Sequence, residues 1–483
     1  DIHNKFFRLL IFWQINIISY ICDTLNFNEH TYLMSKVINL RKGLDLNLEG
    51  TAENIVSNIE GKITDVAICP DDFTGCVPRV VVKEGDNVKI GTPIFVDKRN
   101  EAQMITATVS GKVLSVERGE RRKLLLVRIE NDGEYSAIDF SKFDIAKLTS
   151  EKVVDLLNAS GISEFIRQRP YDIVPDTRIT PRDIFVSAFS KMPLASDFGI
   201  VSKGREEFFS AGIEAFAKIA PVHIGISPEQ NDSFISKINC ADINIFKGPN
   251  PSGNVGVQIN NTYPVNKGDI VWTIGAEEVI FFGKLLLTGR LDFTRRIALA
   301  GAEVKEPQYY NIVIGSRLTP LLEGKLKHTE HIRVINGNPL VGKKAAIDGY
   351  LSAKSTEVTV IPEGDDVNEL LGWISPRLNE FSTSHSYLSW LFPKKKYNLD
   401  ARIKGGERHI IMSGEYDRVF PMDIYAGYLV KAIIAKDIDR MEELGIYEVA
   451  PEDFAVAEFV DSSKLELQRI VREGLDYLRS EMS

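Results

Sequence analysis

The chain has 483 residues, and its 44% hydrophobic and 26% charged content is ordinary for globular protein, so three or four domains with separate cores are expected. A formal net charge of −9 excludes a general nucleic-acid binder, which needs a basic surface to displace counterions. The four cysteines, Cys22, Cys69, Cys76 and Cys240, form no C-x-x-C pair, so neither a zinc site nor a disulfide framework is signalled and a reducing, cytoplasmic setting fits.

The apolar run Arg8 to Leu25 is interrupted by Gln14 and Asn16, leaving stretches far shorter than the roughly 20 apolar residues of a bilayer span. It also lacks an A-x-A cleavage signal. Globular texture begins at Met34. Residues 1–33 are therefore read as a non-native or upstream extension, dispensable to the fold, with an anchor or extra helix as the alternative. Residues 34–60 are expected to pack on the parallel α/β domain that follows later in the chain.

Residues 61–140 alternate apolar and polar side chains in short runs. Gly85-Asp86, Gly91, Ser110-Gly111 and Gly119-Glu120 mark the turns. Two matching halves, Val80 to Phe95 and Ile105 to Glu130, predict a barrel-sandwich, lipoyl-like domain whose linking hairpin carries Lys98 at its tip. Residues 141–301 change to strands alternating with helical patterns. Asp183 to Ser190, Pro221 to Ser227 and Ala241 to Gly248 read as strands, and Arg205 to Ala220 and Ala276 to Gly289 as helices. That order implies βαβ units and a Rossmann-like parallel sheet, although no G-x-G-x-x-G is present. The turn Gly248 to Gly256 follows a strand and leads to no clear helix, so a plain connection is favoured over a nucleotide cradle.

Residues 302–365 return to short strands and suit a β-grasp module of the SLBB type, while residues 366–483 are mainly helical by periodicity. Lys394, Lys395 and Lys396 beside Trp390, Phe392 and Tyr397 suggest a membrane-surface contact or a solvated loop. The loop is favoured, because one short cluster attracts lipid only modestly. The expected fold is thus multidomain α/β.

Four stretches carry a resemblance: Arg169 to Asp197 (RPYDIVPDTRITPRDIFVSAFSKMPLASD), Arg41 to Gly50 (RKGLDLNLEG), Glu369 to Pro376 (ELLGWISP) and Tyr416 to Ile424 (YDRVFPMDI). Together they resemble the A-subunit family of the Na+-translocating NADH:quinone oxidoreductase (Na+-NQR), and more distantly the C-type subunit of the Rnf complex and the flavin-bearing peripheral subunit of complex I. The likeness runs in order from Met34 to Ser483. It implies a membrane-peripheral subunit on the cytoplasmic face of the bacterial inner membrane, in a six-subunit redox pump that moves electrons from NADH to quinone and exports Na+. Flavins and the iron–sulfur centre are implied to lie on partner subunits, with quinone a possible ligand of this one. A purely structural docking subunit is the alternative. Where relatives tend to read Gly-Pro-His-Pro-Ala-Gly, this chain has Gly248-Pro249-Asn250-Pro251-Ser252-Gly253, so an amide replaces a titratable imidazole.

The residues themselves indicate no tightly bound cofactor, no catalytic group and no metal site, and they do not locate a quinone contact. A ferredoxin cluster needs four closely spaced thiolates, and the last cysteine is Cys240. The Ser-Gly-Ala-Thr pattern of covalent flavin attachment does not occur. His223, His331 and His409 lie in strand-like sequence at wide spacing and read as structural. Cys69 and Cys76, flanking the turn Pro70 to Gly75, read as buried or loop thiols. Asp97 before Lys98 matches a lipoyl carrier, but Arg99-Asn100 after it does not, so Lys98 reads as an unmodified surface lysine. No chemistry is expected of the chain alone, because hydride acceptance and one-electron relay are supplied by cofactors.

Overall fold

The computed structural model describes residues 36–367, 380–383, 387–411 and 414–482. Cys22 and the rest of residues 1–33 fall outside them, as does the stretch Glu369 to Pro376. The described residues form four sheets and a set of C-terminal helices.

Two small antiparallel sheets make the barrel-sandwich. One is ordered Asp65–Ile68, Leu124–Asn131, Gly111–Arg118, Asn87–Val88, and the other Pro78–Val80, Pro93–Asp97, Asn100–Thr106. Apolar side chains of the strands and their turns fill the space between: Val66, Ile94, Phe95, Val109, Val113, Val127 and Ile129 are fully or almost fully buried. Gly111 shows why glycine is required at such a corner. Its φ is +148°, and a Cβ there would come within 1.8 Å of the Glu130 carbonyl oxygen.

The second module is a six-stranded sheet ordered Lys36–Asn39, Asp242–Lys247, Val222–Ile226, Asp183–Ser187, Val271–Thr273, Arg167–Arg169. All neighbours are parallel except the last pair. The central strands are buried on both faces, as parallel sheets under helices must be. The helices Glu206–Phe216 and Ala276–Thr288 cross so closely that a Cβ on Gly283 would lie 1.7 Å from the Phe208 carbonyl oxygen. Larger residues at the crossing would force the pair apart.

A second six-stranded sheet, mixed in direction, is ordered Lys343–Ala345, Ile332–Asn336, Glu357–Pro362, Thr294–Ala300, Gln308–Val313, Glu53–Asn58. It closes over its own core of Ile297, Leu299, Tyr310, Ile312, Leu318, Val358 and Val360. Two domain assignments change as a result. Thr294–Ala300, placed by pattern in the 141–301 domain, pairs instead with Gln308–Val313 and Glu357–Pro362. The 34–60 segment divides between sheets, Lys36–Asn39 joining the parallel one and Glu53–Asn58 the mixed one.

Residues 415–482 are helical in the main: Glu415–Val419, Ala426–Ala435, Ile438–Glu443, Ala455–Val460 and Leu467–Met482. Leu467, Val471, Leu475 and Leu478 make one apolar stripe along the last helix. Their shared core includes Leu40, Phe246 and Val257, so the helices cover one face of the parallel sheet.

Candidate functional site

Lys98 is exposed in the turn between Pro93–Asp97 and Asn100–Thr106, the position of a carrier lysine. Its neighbours do structural work. The buried Asp97 carboxylate accepts hydrogen bonds from the backbone N–H of Arg99 at 2.9 Å and of Val77 at 3.3 Å, and from Arg99 Nε at 2.9 Å. Asp97 therefore fixes the tip rather than presenting it.

The Gly248 to Gly256 turn does feed a helix, Val255–Thr262, contrary to the sequence reading. Protein groups already lie against this turn. Asp45 Oδ1 accepts from the Asn250 N–H at 2.8 Å. The Asp453 carboxylate lies against Gly256, where a Cβ would come within 2.4 Å of Oδ2. Gly253 abuts the Ser190 backbone at 2.9 Å on the same measure. Asp453 is itself buried, accepting from the Ala450 N–H at 2.9 Å and from the buried Arg169 guanidinium at 3.4 Å. Burial raises its pKa and the Arg169 charge opposes the rise. Asn250 is fully enclosed.

Doubly wound sheets take ligands where chain order reverses, outside the carboxyl ends of the strands on either side. Here that crevice lies beyond Asp183–Ser187 and Val271–Thr273, and side chains occupy it. Glu277 and Glu278, in the first turn of Ala276–Thr288, face the fully buried Arg295 of the mixed sheet. Arg205 reaches Glu277 at 3.2 Å, and the Arg296 N–H donates to Glu277 at 2.8 Å. Burial pushes the Glu277 pKa up, with Arg295 the chief opposing charge.

A third enclosed region also holds buried polar atoms without a hydrogen-bond partner among the described residues. A slot of about 20 Å³ between the barrel and the mixed sheet is lined by Ile68, Phe73, Ile105, Phe165, Phe293 and Ile314. Phe73 meets Phe165 edge-on at 5.5 Å, and Phe165 stacks on Phe293 at 6.4 Å. Glu164 sits behind Phe165, fully buried. It accepts from Gln103 Nε2 at 3.3 Å through one oxygen, while the other has no partner among the described residues. The buried Lys354 Nζ likewise has none, and lies 5.8 Å from the centre of the Phe73 ring. Burial pushes Glu164 up to about 7, with the Asp97 charge adding to the rise. The same cause holds Lys354 well below the ordinary lysine range. Cys69 and Cys76 border the region as half-buried thiols. Burial raises both, Cys69 to about 12, so neither is a nucleophile at neutral pH. Next to the residues that wall the slot thus stand a buried carboxyl raised to about 7 and a buried amine held below the ordinary lysine range. Such groups can donate or accept protons in a nearly dry setting. Sequence reading singled out none of these roles.

A wider cleft of about 630 Å³ opens where the barrel, the parallel module and the mixed sheet meet, with Ile63, Ile90, Leu291 and Val313 among its walls and Lys284 paired to Asp292 at 2.5 Å on its rim. The histidines do not converge. His223 lies in the strand Val222–Ile226, stacked on Phe185 at 4.7 Å and held between Asp183 at 3.1 Å and Asp242 at 3.3 Å. His331 is not in a strand. It precedes Ile332–Asn336 with φ +57°, and its Nδ1 lies 2.8 Å from Asp365. Asp366 completes an exposed trio that could offer metal ligands. His409 is exposed in an irregular run, again not a strand.

Barrel-sandwich, parallel α/β and mixed-sheet modules in series, with the usual nucleotide positions filled by side chains, define a multidomain α/β protein of the barrel-sandwich and SLBB class. Family models locate the same pieces: the NqrA N-terminal barrel-sandwich hybrid domain at residues 38–132, the NqrA second alpha/beta domain at 148–291 and the NqrA C-terminal SLBB domain at 296–346. The A subunit of the Na(+)-translocating NADH-quinone reductase of Pasteurella multocida is 35% identical over 450 residues, covering 92% of this chain and 100% of that protein. Its counterpart in Rhodopirellula baltica is 34% identical, covering 92% and 98%, and that of Vibrio parahaemolyticus 34%, covering 92% and 100%. The chain belongs to the NqrA family, the A subunits of the Na+-translocating NADH-quinone reductases. Among solved structures, an NAD+-reducing [NiFe]-hydrogenase in the H2-reduced state shares 14% identity over 47% of this chain and 53% of its own, at a TM-score of 0.30. So distant a likeness carries no argument about fold or function.

Proposed function

We propose that the chain works as the A subunit of a Na+-translocating NADH:quinone reductase, docked peripherally on the cytoplasmic side of the membrane assembly and contributing to quinone contact. One observation carries this: collinear identity of 35% across the whole length of the Pasteurella multocida protein. No helix among the described residues is long and apolar enough to cross a membrane, which agrees with a peripheral place. The parallel sheet is read as Rossmann-like with its ligand positions closed, and the helices of residues 415–482 as a further domain. Flavins and the iron–sulfur centre then belong to the other five subunits, and this chain binds none tightly. The side chains filling both nucleotide positions support that assignment. The aromatic slot beside Glu164 and Lys354 is the feature best suited to a quinone ring and its carbonyls. At about 20 Å³ it holds no ring until its walls part, which favours the second reading, a docking subunit without a small ligand.

Removing the subunit from an assembled complex is expected to abolish quinone-coupled turnover while sparing NADH oxidation by artificial acceptors. Full quinone reduction and Na+ pumping without it would refute the proposal. Quinone binding by the complex that disappears in Phe165→Ala would separate the slot from the docking-only reading.

A further inference from the structure

The segment Leu388–Leu391 is a single 3-10 turn whose apolar side chains are about half exposed. Leu388 is 45% exposed, Trp390 52%, Leu391 49% and Phe392 57%. A contiguous apolar knob of this size is unusual on a surface in contact only with water. Its base is fixed. The buried Ser389 hydroxyl accepts from the Ser382 N–H at 3.1 Å, the Pro393 carbonyl accepts from Asn47 Nδ2 at 3.0 Å, and the Tyr397 N–H donates to the Asn47 carbonyl at 2.8 Å. Exposure is therefore held in place by the fold.

Directly after the knob come Lys394, Lys395 and Lys396. The first and third are exposed, and the second lies half-buried with its Nζ 5.5 Å from the Tyr397 ring centre. From Tyr387 to Asn398 the sequence holds these three lysines and no acidic residue, in a chain whose formal charge is −9. The local sign is opposite to the whole. A general solvated loop would need neither the bulky apolar side chains nor the reversal of charge. Tryptophan and phenylalanine are favoured at the level of lipid headgroups, and lysines immediately beside them attract anionic phosphates.

We propose that residues 388–396 form a foot that rests on an anionic bilayer, with Trp390, Leu391 and Phe392 entering the headgroup layer and the lysines on lipid phosphates. This rests on the peripheral-subunit reading and names the surface by which the chain meets the membrane. Sequence reading set the lysines beside Trp390, Phe392 and Tyr397 and favoured a solvated loop; the anchored, half-exposed apolar turn is what the structure adds.

The test is flotation of the full chain with vesicles of phosphatidylcholine, and of phosphatidylcholine with phosphatidylglycerol. Binding is expected to the anionic vesicles only, weakening as salt is raised. Neutralising a lysine should weaken it roughly fivefold, and the double variant Lys394→Glu/Lys396→Glu by more than the product of two such steps. The double variant Trp390→Ser/Phe392→Ser should also weaken it, with both variants melting as the parent does. No flotation with either vesicle, or flotation that both variants leave untouched, overturns the foot. Variants that fail to join the complex when the parent chain shows no lipid binding assign the patch to a protein neighbour, which also overturns it. If the chain floats as expected but removing it from the complex changes nothing, the subunit reading fails while the foot stands.

Discussion

Two regions of this molecule bury charge and treat it oppositely. At the seam between the parallel sheet and the C-terminal helices, Arg169 and Asp453 are both buried and face each other, with Glu452 reaching the same guanidinium at 3.1 Å. Near the aromatic slot, Glu164 and Lys354 are buried with polar atoms that have no partner among the described residues. At the seam the Arg169 charge opposes the rise that burial imposes on the Asp453 and Glu452 carboxyls, and the contact ties two modules together. Glu164 and Lys354 form no ion pair among the described residues, and burial pushes the carboxyl up and the amine down. Burial alone therefore does not separate structural from functional groups. The partner does.

Removing one partner at the seam should have the largest effect. Arg169→Leu leaves Asp453 buried without its counter-charge, and a loss of about 3–5 kcal/mol is expected in chemical denaturation. A loss below about 1 kcal/mol would show that the seam is not held by charge and would break the comparison. Glu164→Gln should act with the opposite sign. The folded Glu164 has its pKa near 7 against an ordinary 4.5, so the fold holds the proton more tightly than the unfolded chain does. The resulting penalty is absent below about pH 4.5, grows between 4.5 and 7, and is complete above 7. Glu164→Gln removes it, so a gain of about 1–3 kcal/mol is expected at pH 8 and almost none at pH 4. A gain equal at both pH values would point to packing instead of titration. Lys98→Ala is the zero of the scale, an exposed charge on a turn. It should change stability by less than about 0.5 kcal/mol and leave quinone-coupled turnover unaltered. Intact-mass spectrometry of protein from its native host should find no lipoyl or biotinyl adduct on it.

The periodic elements were legible in the sequence because their patterns are local. Asp183–Ser187, Val222–Ile226 and Ala276–Thr288 each declare themselves within a dozen residues. The helix Val255–Thr262 was not, since its sequence VGVQINNT has a glycine, two asparagines and a terminal threonine, all weak helix formers, and offers no acidic first turn. Thr294–Ala300 was not singled out as a strand and fell within the 141–301 domain, because only its pairing with Gln308–Val313 and Glu357–Pro362 assigns it to the mixed sheet. Glu164 and Lys354 were invisible for a related reason. In GISEFIRQRP and SAKST they look like surface residues, and their burial is imposed by the barrel and the mixed sheet, which meet from distant parts of the chain. Even the filling of the Gly248 to Gly256 turn depends on Asp45 and Asp453, some 200 residues away on either side.

The divided N-terminal segment bears on how the protein is made. Lys36–Asn39 pairs with Asp242–Lys247, and Glu53–Asn58 with Gln308–Val313, so both strands leave the ribosome long before their neighbours exist. At ~5–20 residues per second, a separation of roughly 200 residues is on the order of 10–40 s during which two strand edges wait unpaired. Neither six-stranded sheet is complete until its far strands are synthesised. The barrel between them, whose strands all lie within residues 65–131, can close early. Birth order in this molecule therefore runs from the inside outward: a finished barrel first, then two sheets that must each reach back for an edge strand already made. A nascent chain halted before residue 242 should carry a folded barrel flanked by exposed strands, the state most in need of a chaperone.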